Sequence, residues 1–444
     1  MRKLRCAAFL ATALALGGCS CGAARAVPDG GAGDAAAADR WTPDARDAPV
    51  FEARCIGDWP ADPGATPQPS LATSAKQVLW RRTLPWVGYR TEIALGGDHI
   101  ALVGGNKLWI LDLAGNVTGE MLDGTSLRGN GPLADAEGNF LFVTTSAYSV
   151  TPAGTVRWKT PLVQGYAPDT IPSSAALSPA GILYVATSAG TLFALRASDG
   201  YIVWRRGVGG DPQNSAAPVT VGPGIGDTVF VGGAPYAAPT GEPAARLSVD
   251  GTLVAPGAAS YSGIIEAGYA ELVGERYQWR LYQLDPCGRL LREWPPDGGW
   301  SPYYFIGFSD NLVLGSDQGG HNTYVYSSAG ERLLGPAPWR GVGLALGADG
   351  AMYAAECNGG QSLDTQSMSL IAYAPSLAET WSLDLGVPCT AGGVVLADNG
   401  MLITARELPN GIEVIAVQTA SPGLARTSYP THGFNNRRTN WLGP

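Results

Sequence analysis

Short apolar runs divided by polar turns recur along most of the chain. The clearest stretch is Ile182–Trp204, ILYVATSAGTLFALRASDGYIVW. It reads as an apolar strand, a turn at Gly190, a second strand Thr191–Leu195, a turn at Asp199-Gly200, and a strand carrying Trp204. Runs of this length with Gly and Asp at their ends predict antiparallel hairpins. The same order returns at 99–117, 139–158, 311–334, 351–381 and 401–419. Two rulers give the period. Turn glycines at 115, 154, 200, 251, 288 and 330 span 215 residues in five intervals, a mean of 43. Tryptophans read as strand-ending, Trp80, Trp158, Trp204, Trp294 and Trp381, span 301 residues, or seven units of 43.

A four-stranded unit of this length matches a propeller blade. The expected fold is all-β: an eight-bladed β-propeller of four-stranded antiparallel blades. Seven blades is the alternative, with 205–260 as an insertion. The segment from Gly386 to Thr419 offers three strands without a Trp-bearing fourth, while QVLWRR at 77–82 is a lone strand without a blade. Pairing the two closes the ring and removes the exposed edges of an open array. Composition fits. Only 15 % of residues are charged, against roughly a quarter in an average domain, and Gly (61) and Pro (33) are abundant. Blade faces that bury one another leave few places for charge. The net charge of −9 disfavours a nucleic-acid binder, which needs a positive field.

The N-terminus departs from this pattern. Arg2, Lys3 and Arg5 precede an eleven-residue apolar run, Cys6 to Leu16, too short for a membrane span of about 20 residues. Residues 1–18 therefore read as a signal peptide. Leu16-Gly17-Gly18-Cys19 resembles a bacterial lipobox, which implies acylation of Cys19 and a membrane-anchored protein. Cleavage there leaves 26 basic against 38 acidic residues, a charge of −12. Ser20 after the Cys implies the outer membrane rather than the inner. Residues 19–54, rich in Ala, Gly, Asp and Pro, read as a flexible tether. Then come a lead-in at 55–74, the propeller at 75–425 and a C-terminal clasp at 426–444.

The residues Gly190–Trp204 match G-x-L-Y-A-L-x-A-x-x-G-x-x-x-W except for Phe193 in place of Tyr, and resemble the PQQ-like propeller repeat. YPTHGFNNRRTN at 429–440 resembles the segment found at the ends of such chains. The resemblance implies that the repeated tryptophans pack between blades. In anchor and repeat the chain is also similar to the propeller lipoprotein of the outer-membrane barrel-assembly machinery. The blade register places Cys357 at the end of the second strand of the seventh unit and Cys389 at the start of the eighth, so a disulfide across that boundary is one expectation. Cys55 and Cys287 would form the remaining pair; the alternative is four buried free thiols.

Signatures of chemistry are sparse. Quinone-dependent dehydrogenases with this repeat carry adjacent cysteines, and none are adjacent here. There is no Walker loop, no His-Glu-x-x-His, and no Gly-x-Ser-x-Gly elbow. His99, His321 and His432 fall in different units. Gly222 to Gly226 reads as a turn. Glu266, Glu271, Glu275 and Asp285 are the carboxylates closest to a glycosidase pair. Glu356, Asn358 and Asp364 could offer oxygens to calcium, but read better as a solvated hairpin. The aromatic stretch Trp294–Phe308 suggests a partner-binding loop bearing Trp300 and Tyr303. The expected protein has no cofactor, no metal and no catalytic residue. It is a monomeric, lipid-anchored envelope propeller that binds or scaffolds protein or glycan partners. The alternative is a propeller enzyme, either a quinone-dependent dehydrogenase or a polysaccharide-acting hydrolase or lyase.

Overall fold

The computed structural model describes most of residues 76–243 and 341–424 with side chains. Between them it describes the backbone of the strands from Ser248–Val249 to Arg332–Ala337. The described residues form seven four-stranded sheets, one three-stranded sheet and a two-stranded ladder, all antiparallel. In chain order the first sheet runs from Glu92–Gly96 to Val117–Leu122, and the second from Leu133–Ala134 to Val156–Pro161. The third runs from Pro172–Leu177 to Ile202–Gly207. The fourth, Val219–Gly224 to Ala234–Ala237, has three strands. The fifth ends at Leu290–Trp294, the sixth at Arg332–Ala337 and the seventh at Glu379–Gly386. In the eighth, Ala391–Leu396, Met401–Leu408 and Gly411–Gln418 are joined by Gln77–Pro85, the first strand of the chain.

Each sheet is a meander because its turns are short and local. One turn recurs six times. In Asp112–Asn116, Asp135–Asn139, Thr151–Thr155, Ser178–Ile182, Gly347–Ala351 and Ala397–Met401, the N–H of the fourth residue donates to the C=O of the first. That fourth residue is always glycine at φ between 75° and 84°, a conformation that costs an L side chain strain. The glycine ruler of the sequence is thus a row of left-handed turn positions, seen at Gly115, Gly154 and Gly200. Gly251, Gly288 and Gly330 lie outside the described residues.

Core strands bury both faces. Every residue of Ile182–Thr187 is buried, and alternate residues join different clusters: Leu183 and Val185 pack toward the second sheet, Tyr184 and Ala186 toward the fourth. Five such clusters link the seventh sheet to the eighth, the eighth to the first, the first to the second, the second to the third, and the third to the fourth. The eighth sheet therefore packs against the first through Leu84, Ile403, Val414, Ile100 and Trp109, as any other sheet packs on its successor. First strands of successive sheets lie side by side, Glu92–Gly96 touching both Ala391–Leu396 and Leu133–Ala134.

Of the five tryptophans read as strand-ending, Trp294 alone ends its strand, and the other four lie inside theirs. Trp158, Trp204 and Trp381 are the third residues of Val156–Pro161, Ile202–Gly207 and Glu379–Gly386, and the strands run on past them. The pairing partner on the inner side continues, so nothing stops the ladder at the indole.

Candidate functional site

The tryptophans act as latches between sheets. Trp80, on the outermost strand of the eighth sheet, donates from Nε1 to the Leu113 carbonyl in a turn of the first, at 2.8 Å. Trp158 of the second sheet does the same to Ala197 of the third (2.8 Å), and Trp204 of the third to Ala238 of the fourth (2.9 Å). Each ring lies on the turn glycine of the next sheet. A Cβ at Gly115 would come within 2.8 Å of the Trp80 ring, one at Gly200 within 2.5 Å of Trp158, and one at Gly241 within 2.7 Å of Trp204. The first sheet uses another device. Gly119 stands where the others carry Trp, and a Cβ there would run into the Gly154 backbone. That explains why the interval from Trp80 to Trp158 spans two units. Trp381 packs beside Tyr353 in the cluster between seventh and eighth sheets, ring centroids 6.2 Å apart.

Polar chemistry collects at one end of the seventh and eighth sheets. Cys357 and Cys389 form a disulfide there, with Cα atoms 5.4 Å apart. Two residues after Cys389, Ala391 pairs with Arg406. Arg406 Nε donates to Glu413 at 2.8 Å, and Arg81 of the first strand, Gln77–Pro85, reaches the same carboxylate at 3.3 Å. Arg406 Nη1 is buried and has no hydrogen-bond partner among the described residues. Asp384 accepts from the Ser367 hydroxyl (2.5 Å) and the Gly386 N–H (2.9 Å). These bonds, with the Arg406 charge, hold its carboxyl below the ordinary range. In the same row as Ser369 and Asp384, Glu356 is buried and accepts from the Tyr373 hydroxyl at 2.8 Å. Burial pushes its carboxyl up, and the Glu379 charge adds to this, while the Tyr373 bond opposes it.

Glu356 therefore does not sit on a solvated hairpin. It belongs to the strand Met352–Asn358, and its neighbour on the other side of the connection, Gln366, is buried too. In the sequence the nine residues between Glu356 and Gln366 make this strand end part of a polar-looking run. Glu266 and Glu271 lie on the long strand Ile265–Val273. Gly224 and Gly226 face each other across a tight hairpin. Trp294 ends the strand Leu290–Trp294. Cys19, Cys55, Cys287, Trp300, Tyr303, Glu275, Asp285, Asp364, His321 and His432 lie outside the described residues. Among the described residues no three His, Cys, Asp or Glu side chains converge as metal ligands, and no helix is long and apolar enough to cross a membrane.

No family model and no curated protein matches the chain. Solved structures do. The C-terminal WD40 domain of Sif2 superposes with a TM-score of 0.52 at 10 % identity, covering 78 % of this chain and 99 % of that one. WD40 domains are β-propellers of four-stranded sheets. The fold is a β-propeller. BamB from Moraxella catarrhalis matches at a TM-score of 0.48 and 13 % identity, over 76 % of this chain and 100 % of its own. Streptogramin B lyase matches at 0.44 and 14 %, over 76 % and 98 %. The Arg406–Glu413–Arg81 group escaped sequence reading because its members come from strands more than 300 residues apart.

Proposed function

We propose that the chain is a lipid-anchored propeller of the cell envelope, eight-bladed and closed by its first strand, that binds or scaffolds protein or glycan partners without catalysing a reaction. The observation that carries this reading is the position of Gln77–Pro85. The first strand after the tether and the lead-in is the outermost strand of the eighth sheet. It latches to the first sheet through Trp80 as Trp158 and Trp204 latch theirs. A body attached by its rim keeps the connections at both ends of the sheets available to partners. The acylated residue in this reading is Cys19, with the outer membrane as its site and Trp300 and Tyr303 as the partner-binding loop.

Crosslinking in intact cells, followed by purification of the full chain, tests the proposal. Recovery of one envelope protein or glycan, reduced by Trp300→Ala with Tyr303→Ala, supports it. Recovery of lipid and the chain alone overturns the binding role. One observation favours an enzyme instead: Glu356 is a buried carboxyl of raised pKa, the type of group that serves as a general acid. Turnover of a polysaccharide that is lost in Glu356→Gln would establish that second reading.

A further inference from the structure

The fifth sheet is built differently from the others. Its middle strands, Ile265–Val273 and Arg276–Leu284, have nine residues each and pair along their whole length, from Ile265 opposite Leu284 to Val273 opposite Arg276. Their neighbours stop short. Ala255–Ala259 reaches only as far as Gly268, and Leu290–Trp294 only as far as Leu281. Tyr269–Val273 and Arg276–Arg280 therefore run on as a two-stranded ribbon, roughly 17 Å long at the ordinary rise of a strand. In the other four-stranded sheets the middle strands outrun their neighbours by at most two residues.

A two-stranded ribbon is marginal in water by itself, and no strand among the described residues pairs with either of its edges. Rows of unpaired N–H and C=O groups accept a further strand. The outer edge is Arg276–Arg280, RYQWR. Val273 and Arg276 pair across two intervening residues, so they exchange ladder bonds, and the N–H groups of Tyr277 and Trp279 belong to the open edge. Register puts Arg276, Gln278 and Arg280 on one face of the ribbon and Tyr277 and Trp279 on the other. Tyr, Trp and Arg are the residue types enriched where interfaces bind most tightly. Trp294, opposite Leu281 at the base of the ribbon, is also where the chain leaves toward Trp300 and Tyr303.

The charges select the occupant. Antiparallel pairing with a second copy about Gln278 sets Arg276 of each copy opposite Arg280 of the other, and like charges directly opposite destabilise. A strand with carboxylates four residues apart meets both arginines instead. We infer that the outer edge of this ribbon takes up an extended acidic segment of a partner protein as a third strand. The inference rests on the partner-binding reading and narrows the partner from protein or glycan to a protein with such a segment.

The test uses the full chain in intact cells, with a photo-crosslinking amino acid at position 278 and the crosslinked peptides mapped by mass spectrometry. A crosslink to an extended segment of one envelope protein, bearing Asp or Glu, is expected. Arg276→Glu with Arg280→Glu lowers its yield about ten-fold. Arg276→Lys with Arg280→Lys retains it, which separates charge from folding. In the purified complex the Tyr277 and Trp279 amides exchange more slowly than in the free chain. A crosslink to a glycan, to a basic or helical segment or to a second copy overturns the inference. So does an unchanged yield in the charge-reversed variant, or unchanged exchange at both amides. A partner recovered by general crosslinking of the same cells, with none from position 278, overturns it and leaves the binding reading intact. No partner by either route overturns both.

Discussion

At the residue scale, a latch tryptophan combines a large apolar ring with one directional bond. Trp204 is 2 % exposed, stacks obliquely on Tyr184 and gives its only N–H to Ala238, an acceptor that the Tyr184 hydroxyl also approaches at 3.3 Å. Trp204→Phe keeps most of the ring and loses the bond. It should cost about 1–2 kcal/mol, since the Ala238 carbonyl retains Tyr184. Trp204→Ala should cost about 3–5 kcal/mol through the cavity it leaves. Urea midpoints of the two variants measure the difference. Glu356 makes a prediction about pH. Its carboxyl is raised in the folded protein, so the stabilisation linked to it is present below the unfolded carboxylate pKa and is lost as pH rises through the folded value. Glu356→Gln keeps an acceptor for Tyr373 and removes the buried charge. Thermal melts should therefore show the variant more stable than wild type at neutral pH, with the gap closing in acid. Equal melting temperatures across that range would mean that the carboxyl ionises without penalty. Asp384 has the opposite sign: its lowered carboxyl stabilises above the unfolded pKa and loses that contribution as pH falls.

At the scale of elements, the disulfide ties the end of the strand Met352–Asn358 to the chain entering Ala391–Leu396, across a separation of 32 residues. Closing a loop of that size removes unfolded-state entropy worth about 3–4 kcal/mol. Replacing both cysteines with Ser should lower the urea midpoint accordingly. Because Cys357 and Cys389 are both buried, reductant should act on the wild type only once denaturant has opened it. Two thiols appearing in the native protein on brief reduction would contradict that expectation. The elements also show how one sheet interface can be built in two ways. A tryptophan fills the space between an outermost strand and the next turn, or the space is closed by bringing backbones together at Gly119 and Gly154. Gly119→Ala should destabilise by a few kcal/mol, about what overpacking costs, although glycine in a strand is ordinarily a weakness. The same urea titration measures it.

For the whole molecule, the first strand of the chain completes its eighth sheet. Gln77–Pro85 pairs along nearly its full length with Gly411–Gln418, and Leu84 lies in the cluster shared with the first sheet. Leu84→Ala should therefore weaken the eighth sheet and the first together, by about 2–5 kcal/mol, with one cooperative transition in calorimetry. Two separated transitions would show that the sheets unfold independently.

Much of this architecture could be read along the chain. The 43-residue period and the turn glycines depend on spacing and local conformation, which the sequence states directly, while the packing role of Trp80, Trp158 and Trp204 is what the resemblance of the repeat implies. The expected meeting of the first strand with the last three rested on an edge that needed a partner, and those strands are paired. What the chain could not reveal depends on neighbours far away in sequence. Glu356 looks like part of a polar hairpin until the strand Ser367–Tyr373 brings Tyr373 to it. Gly119 looks like a missing tryptophan until Gly154 is seen against it. Arg406, Glu413 and Arg81 become one charged group only when the first strand joins the last sheet. By itself the sequence determined the repeat, because a repeat is a matter of period and turn chemistry. Only the tertiary structure decided which charges are buried, which are paired and which face outward around the rim, because burial and pairing are properties of surfaces that separate segments create together.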